Sequence, residues 1–81
     1  MDKTALKERI NARLADEFEK DAATFAPDAN MQKTLGMDSL DLVDLVVMIE
    51  EETGVKLKKE DFATITTFDE FYDLIISRAD N

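Results

Sequence analysis

Ser39 lies in the run Gly-Met-Asp-Ser-Leu that ends at Leu40, and its hydroxyl could act as a nucleophile or be modified. A serine hydroxyl is a weak nucleophile until a neighbouring base activates it. The chain contains no His and no Cys, so neither a Ser–His–Asp nor a Cys–His site can be assembled. Ser39 is therefore a better candidate for a modified residue than for a catalyst, and we predict no catalytic residue.

Metal and disulfide chemistry lack the residues they need. Without Cys there is no disulfide framework and no thiolate zinc site, and without His the commonest metal ligand is missing. Carboxylates are numerous, but the sequence has no twelve-residue Asp-x-Asp-x-Asp-Gly loop of the calcium-binding type. A divalent ion would bind only diffusely, and no metal site is predicted.

The charge distribution indicates the kind of partner. The net charge is −9, and residues 21–52 hold eight acidic residues and one basic residue, a net charge of −7. Such a chain is unsuited to nucleic acid backbones and to anionic membranes. The acidic middle favours basic protein surfaces.

Composition and length indicate one small globular domain over residues 1–81. The hydrophobic fraction is 44%, and one Pro and two Gly leave little room for β-hairpins. No run approaches the roughly 20 apolar residues that span a bilayer, and the first residues lack the apolar core of a secretory signal. We expect a soluble, cytoplasmic monomer that does not insert into membranes.

The pattern of apolar residues predicts the elements that position Ser39. An apolar residue every fourth position predicts a helix over about residues 3–20, followed by a long connection over residues 22–37. The anchors of this connection onto the core are expected to be Phe25, Met31 and Leu35.

A second helix is predicted from Ser39 to just before Gly54, with Asp38 as its N-cap. Residues 56–60 are expected to form a polar connector and residues 61–65 about one packed turn. The last helix begins after a capping box, the run Thr-Phe-Asp-Glu that starts at Thr67, and its apolar face is predicted to comprise Phe68, Phe71, Tyr72 and Ile75. The predicted fold is an all-α bundle of three main helices plus a short one.

The second helix carries more apolar surface than a bundle helix needs. At about 100° per residue one arc, the expected core face, comprises Leu42, Leu45, Val46 and Ile49. A neighbouring arc comprises Leu40, Val43 and Val47, bordered by Asp44 and Glu51, with Met48 and Asp41 further round. This helix could be buried on two sides. The bordering carboxylates, which have no basic neighbour in sequence, favour an exposed docking strip instead.

Residues 35–41, with the core Gly-x-Asp-Ser-Leu, resemble the prosthetic-group site of acyl carrier proteins. The likeness continues through residues 43–46 and 49–54 in the second helix and residues 65–68 before the last one. In all it covers about residues 4–79. Some positions depart from the family pattern: Thr34, Met37 and the basic cluster Lys56, Lys58 and Lys59, which stands where the family often has acids and could select different partners.

The resemblance implies a 4′-phosphopantetheine transferred from coenzyme A to Ser39 by a separate phosphopantetheinyl transferase. Acyl groups are then carried as thioesters on its thiol and can withdraw into the bundle. A phosphodiester at Ser39 would also meet the positive end of the helix dipole and free N–H groups. The resemblance further implies that acyl-loading and acyl-processing enzymes bind this helix through basic patches. The positions they would contact are Asp38, Leu40, Asp41, Val43, Asp44, Val47, Glu50 and Glu51. For Asp38, the residues themselves indicate only the capping role.

Three functions follow. The first is a free-standing acyl carrier protein of fatty-acid or related lipid synthesis, which its short tails favour. The second is a carrier for polyketide, aminoacyl or peptidyl loading, and the acidic middle favours acyl over peptidyl carriers. The third is a structural adaptor that keeps the fold without the prosthetic group, against which the intact Asp-Ser-Leu counts.

Overall fold

A computed structural model describes residues 2–79, and within this range the chain is helical, with one isolated antiparallel bridge between Asn30 and Thr67. The predicted all-α fold is confirmed. The elements in chain order are α1 (Lys3–Phe18), a first 3-10 segment (Ala22–Thr24), α2 (Met31–Leu35), α3 (Ser39–Thr53), a second 3-10 segment (Lys59–Thr64) and α4 (Phe68–Ala79).

Helix α1 follows the predicted period but ends at Phe18, two residues before its predicted end. Asp2 caps its start by accepting from the Thr4 N–H at 3.0 Å. At the other end Glu19 takes a left-handed conformation, with φ of 55°, and stops the helix. The face toward the core is formed by Leu6, Ile10 and Leu14, which are buried, and by Phe18, which is half-buried.

The connection over residues 22–37 contains more structure than we predicted, because it includes the first 3-10 segment and α2. Asn30 caps α2 by accepting from the Lys33 N–H at 3.0 Å, and Gly36 ends it with φ of 67°. A five-residue helix spans little more than one turn, so the sequence shows no repeating period for it. The predicted anchors are confirmed as buried: Phe25, Met31 and Leu35.

The segment after α3 is less polar than predicted. Val55 and Leu57 are buried and alternate with the exposed Lys56 and Lys58. The predicted turn over residues 61–65 overlaps the second 3-10 segment, which begins earlier, at Lys59, and ends at Thr64; its Phe62 is buried. The alternation of buried and exposed residues over 55–58 is typical of an extended chain that packs on a core with one side in solvent.

Helix α4 begins at the predicted capping box. The Thr67 hydroxyl accepts from the Glu70 N–H at 3.2 Å, and Glu70 Oε1 accepts from the Thr67 N–H at 2.9 Å. The N–H groups of Thr67 and Thr66, which both donate to Glu70 Oε1, lower the pKa of Glu70. The predicted apolar face, Phe68, Phe71, Tyr72 and Ile75, is fully buried, and the Tyr72 hydroxyl donates to Asn11 of α1. α4 therefore packs on α1.

Candidate functional site

Ser39 is the first residue of α3 and is exposed. The left-handed Gly36 turns the chain out of α2, and Asp38, in extended conformation, leads it into α3. None of the hydrogen bonds within residues 2–79 uses the Ser39 hydroxyl. The hydroxyl is therefore accessible to an incoming enzyme.

Asp38 and Asp41 hold the start of α3 together through reciprocal bonds. Asp38 Oδ1 accepts from the N–H groups of Leu40 and Asp41 at 2.9 and 3.1 Å, and Asp41 Oδ2 accepts from the Asp38 N–H at 3.0 Å. The predicted cap is confirmed. The bond that Asp41 accepts from the Asp38 N–H was not predicted, although an acid three residues after the cap is the pattern of a capping box.

This capping box corrects the expectation of free N–H groups beside Ser39, because Asp38 occupies two of them. What remains for a phosphodiester is the positive end of the α3 dipole and an exposed point of attachment on Ser39. An outward attachment site suits a group that must reach the active sites of other proteins. The residues present therefore fit a phosphopantetheine at Ser39.

The exposed side of α3 carries an apolar strip of three residues, Leu40, Val43 and Val47, with 77%, 52% and 52% of each residue exposed. They lie on one face at successive turns of the helix, as predicted. Leu45 and Ile49 on the predicted core face are buried, whereas Leu42 and Val46 are half-buried. The strip is therefore surface available to a partner.

Met48 was placed wrongly from the sequence, since it is buried at 3% exposure rather than turned away from the core. It lies on the side of α3 that faces the end of α1, next to a groove of about 380 Å³. The groove is lined by Arg13, Glu17, Phe18, Asp41, Asp44, Leu45, Val47, Met48 and Glu51. α1 thus covers a second side of α3 that a helical wheel cannot show.

The acids predicted to bind partners fall into two groups. Within residues 2–79, Asp44 is exposed beside the apolar strip and has neither an ion pair nor a side-chain hydrogen bond. Glu51, in contrast, lies 3.2 Å from Arg13 Nη2, and Glu50 Oε1 lies 3.9 Å from Lys56 Nζ. Uncompensated negative charge is therefore concentrated toward the Ser39 end of α3.

Arg13 links α1 to α3, a contact that sequence reasoning missed. Its Nη1 lies 2.8 Å from Glu52 Oε1, and Arg9 Nε lies 3.1 Å from the other oxygen of Glu52. These bonds, chiefly that of Arg13, lower the pKa of Glu52 and raise that of Arg13. The sequence does place two arginines four residues apart on one face of α1, which indicates a basic face. It does not indicate which acids they pair with.

Within residues 2–79, no group of three or more acidic side chains is arranged to hold a metal ion. In the same part of the chain, no helix is long and apolar enough to cross a membrane.

A small helical bundle with an exposed serine at the start of an apolar and acidic helix defines a carrier-type domain. The sequence model described as "Phosphopantetheine attachment site" matches residues 8–75. The chain belongs to the acyl carrier protein family. Its members are non-catalytic carriers, and the prosthetic group of this domain is phosphopantetheine.

Similar proteins carry the family name. "Acyl carrier protein 2" of Ralstonia nicotianae is 36% identical over 67 residues, which is 83% of each chain. "Acyl carrier protein" of Rubrobacter xylanophilus is 33% identical over 76 residues, 94% of each chain. "Acyl carrier protein" of Helicobacter pylori is 45% identical over 56 residues, covering 69% of this chain and 72% of the relative.

Proposed function

We propose that this chain carries acyl groups as thioesters on a 4′-phosphopantetheine attached to Ser39 and delivers them to enzymes of fatty-acid or related lipid synthesis. The observation that supports this most is the exposed, unengaged Ser39 hydroxyl at the start of α3 in a chain of this family. When bound, the prosthetic group supplies the thiol that holds the acyl chain. We further propose one carrier domain over residues 1–81, acting as a cytoplasmic monomer.

The residues of this chain position the attachment point and the partner. The Asp38–Asp41 capping box fixes the first turn of α3, and so the direction in which Ser39 leaves the surface. We propose that partner enzymes cover the apolar strip and contact the acids around it: Asp38, Asp41, Asp44, Glu50 and Glu51. Burial of exposed apolar side chains would supply affinity, and the carboxylates would orient a basic partner surface.

The attachment residue is tested by intact mass. The purified protein is incubated with coenzyme A, magnesium and a broad-specificity phosphopantetheinyl transferase. We expect wild type to gain one phosphopantetheinyl unit and Ser39→Ala to gain none. Ser77→Ala is the matched control, because Ser77 is the other serine of the chain and lies exposed on α4. No gain in a folded, initially unmodified wild type would contradict the proposal.

The pathway needs a separate test, because a carrier for polyketide, aminoacyl or peptidyl loading shares the same attachment chemistry. Holo protein is offered to a malonyl-loading enzyme of fatty-acid synthesis and to an adenylating enzyme that loads amino acids. We expect malonyl loading. Efficient aminoacyl loading alone would favour the second carrier function, and full cellular function of Ser39→Ala would favour the structural adaptor.

A further inference from the structure

The charge on the solvent side of α3 changes sign from one end to the other. Asp44 lies near Ser39, without a basic partner among the described residues. Beyond the other end of α3 stands the basic cluster, comprising Lys56, Lys58 and Lys59, all of which are exposed. The apolar strip lies between the two.

The backbone after α3 forces the cluster outward. Gly54 ends α3 with φ of 77°, and the extended chain that follows buries Val55 and Leu57. Because side chains alternate in extended chain, Lys56 and Lys58 are directed to solvent. The side chain of Lys56 is 84% exposed.

The acids at the far end of α3 are partly compensated. Arg13 lies 3.2 Å from Glu51 and 2.8 Å from Glu52, and Lys56 lies 3.9 Å from Glu50. The three lysines of the cluster outnumber the two exposed acids beside them, Glu50 and Glu60, so one positive charge remains at this end. A uniformly basic partner surface would therefore be attracted mainly near Ser39 and would meet repulsion at the cluster.

We propose, on the basis of the proposed function, that the enzyme surface recognising this carrier is itself two-signed. It has basic residues opposite Asp44 and carboxylates opposite Lys56 and Lys59, with an apolar centre against the strip. α3 has 15 residues and is about 22 Å long at about 1.5 Å per residue. A typical interface of about 800 Å² per partner, centred on the strip, reaches both ends.

The transferase that modifies Ser39 provides the probe, taken from the organism that encodes this chain. The measurement is kcat/KM for modification of Lys56→Glu and Lys59→Glu. The matched control is Lys20→Glu, which makes the same charge change at an exposed residue just after α1. We expect each cluster variant to lose about fivefold or more, chiefly through KM, because carboxylates would then face carboxylates. Lys20→Glu should stay within about twofold.

A structural role for the cluster predicts a different pattern, because cations near a helix C-terminus also stabilise its dipole. In that case the melting temperatures of the cluster variants would fall below that of Lys20→Glu. Lys56→Gln removes the charge without reversing it, so its KM should lie between those of wild type and Lys56→Glu. Cluster variants modified as fast as Lys20→Glu would overturn the two-signed surface while leaving Ser39 as the attachment site. Absence of modification in wild type would instead contradict the proposed function.

Discussion

Arg13 and Glu52 are 39 residues apart in sequence, yet Arg13 Nη1 donates to Glu52 Oε1 at 2.8 Å. This bond joins the first long helix to the helix that begins at Ser39. Through Nη2 the same side chain also lies 3.2 Å from Glu51, so Arg13 offsets part of the negative charge that α3 offers to a partner. Ion pairing within the bundle thus shapes the charge of the docking surface.

The Arg13–Glu52 bond makes stability depend on pH in a defined direction. The pKa of Glu52 is lowered from its ordinary value of 4.5 by Arg13 first and Arg9 second. A lowered folded-state pKa gives stability that is present above pH 4.5 and is lost as the pH falls through the folded value. Glu52→Gln should therefore lower the melting temperature at pH 7, with a difference that shrinks below pH 4.5.

The matched control for that measurement is Glu8→Gln on α1, because Glu8 is exposed and forms no ion pair within residues 2–79. We expect its melting curve to follow that of wild type at each pH. A Glu52→Gln difference that persists unchanged at pH 2.5 would show that the bond to Arg13 is not its source.

The capping box predicts unequal costs for two neighbouring acids. Asp38→Ala removes the acceptor for the Leu40 and Asp41 N–H groups and should cost about 1 kcal/mol. Asp44→Ala removes an exposed carboxylate without a partner in the described chain and should stay within about 0.5 kcal/mol of wild type. Urea unfolding of both variants makes the comparison. Equal losses would contradict the assignment of Asp38 as the cap.

Met48 and Val47 are adjacent but should respond oppositely to truncation. Met48 is buried, whereas Val47 is half in solvent. Met48→Ala leaves a cavity beside α1 and should cost about 2 kcal/mol or more. Val47→Ala should change the unfolding free energy little, since surface substitutions usually stay within about 0.5 kcal/mol. A larger loss at Val47 than at Met48 would mean that the strip, not the α1 side, is packed.

Added salt should raise the melting temperature, because a net charge of −9 in 81 residues repels itself and salt screens that repulsion. Magnesium should do so at lower concentration. In the double variant Asp28→Asn/Asp44→Asn, which removes two exposed charges, the rise should be smaller. A melting temperature that is independent of salt in wild type would contradict this reasoning without affecting the carrier assignment.

The sequence was sufficient for features encoded by neighbours in the chain. The four-residue apolar period predicted α1, and Asp38 and Gly54 predicted both ends of α3. It was insufficient where the structure depends on distant residues. α2 is too short to show a period, and Met48 is buried because α1 approaches from a second direction.

The candidate site divides in the same way. Ser39, its cap and the apolar strip follow from local spacing on one helix. The pairing of Glu51 and Glu52 with Arg13 could not be predicted, since charge alone does not say which acids a distant arginine meets. The uneven charge of the docking face therefore required the three-dimensional arrangement.

The thioester-carrying role of Ser39 is tested most directly by intact mass before and after neutral hydroxylamine, which cleaves thioesters. Wild type and Ser39→Ala are first incubated with butyryl-coenzyme A, magnesium and a broad-specificity phosphopantetheinyl transferase. We predict that wild type gains one butyryl-phosphopantetheinyl unit and that hydroxylamine removes only the butyryl group, while Ser39→Ala gains nothing. An unmodified, folded wild type, or an equal gain in Ser39→Ala, would contradict that role.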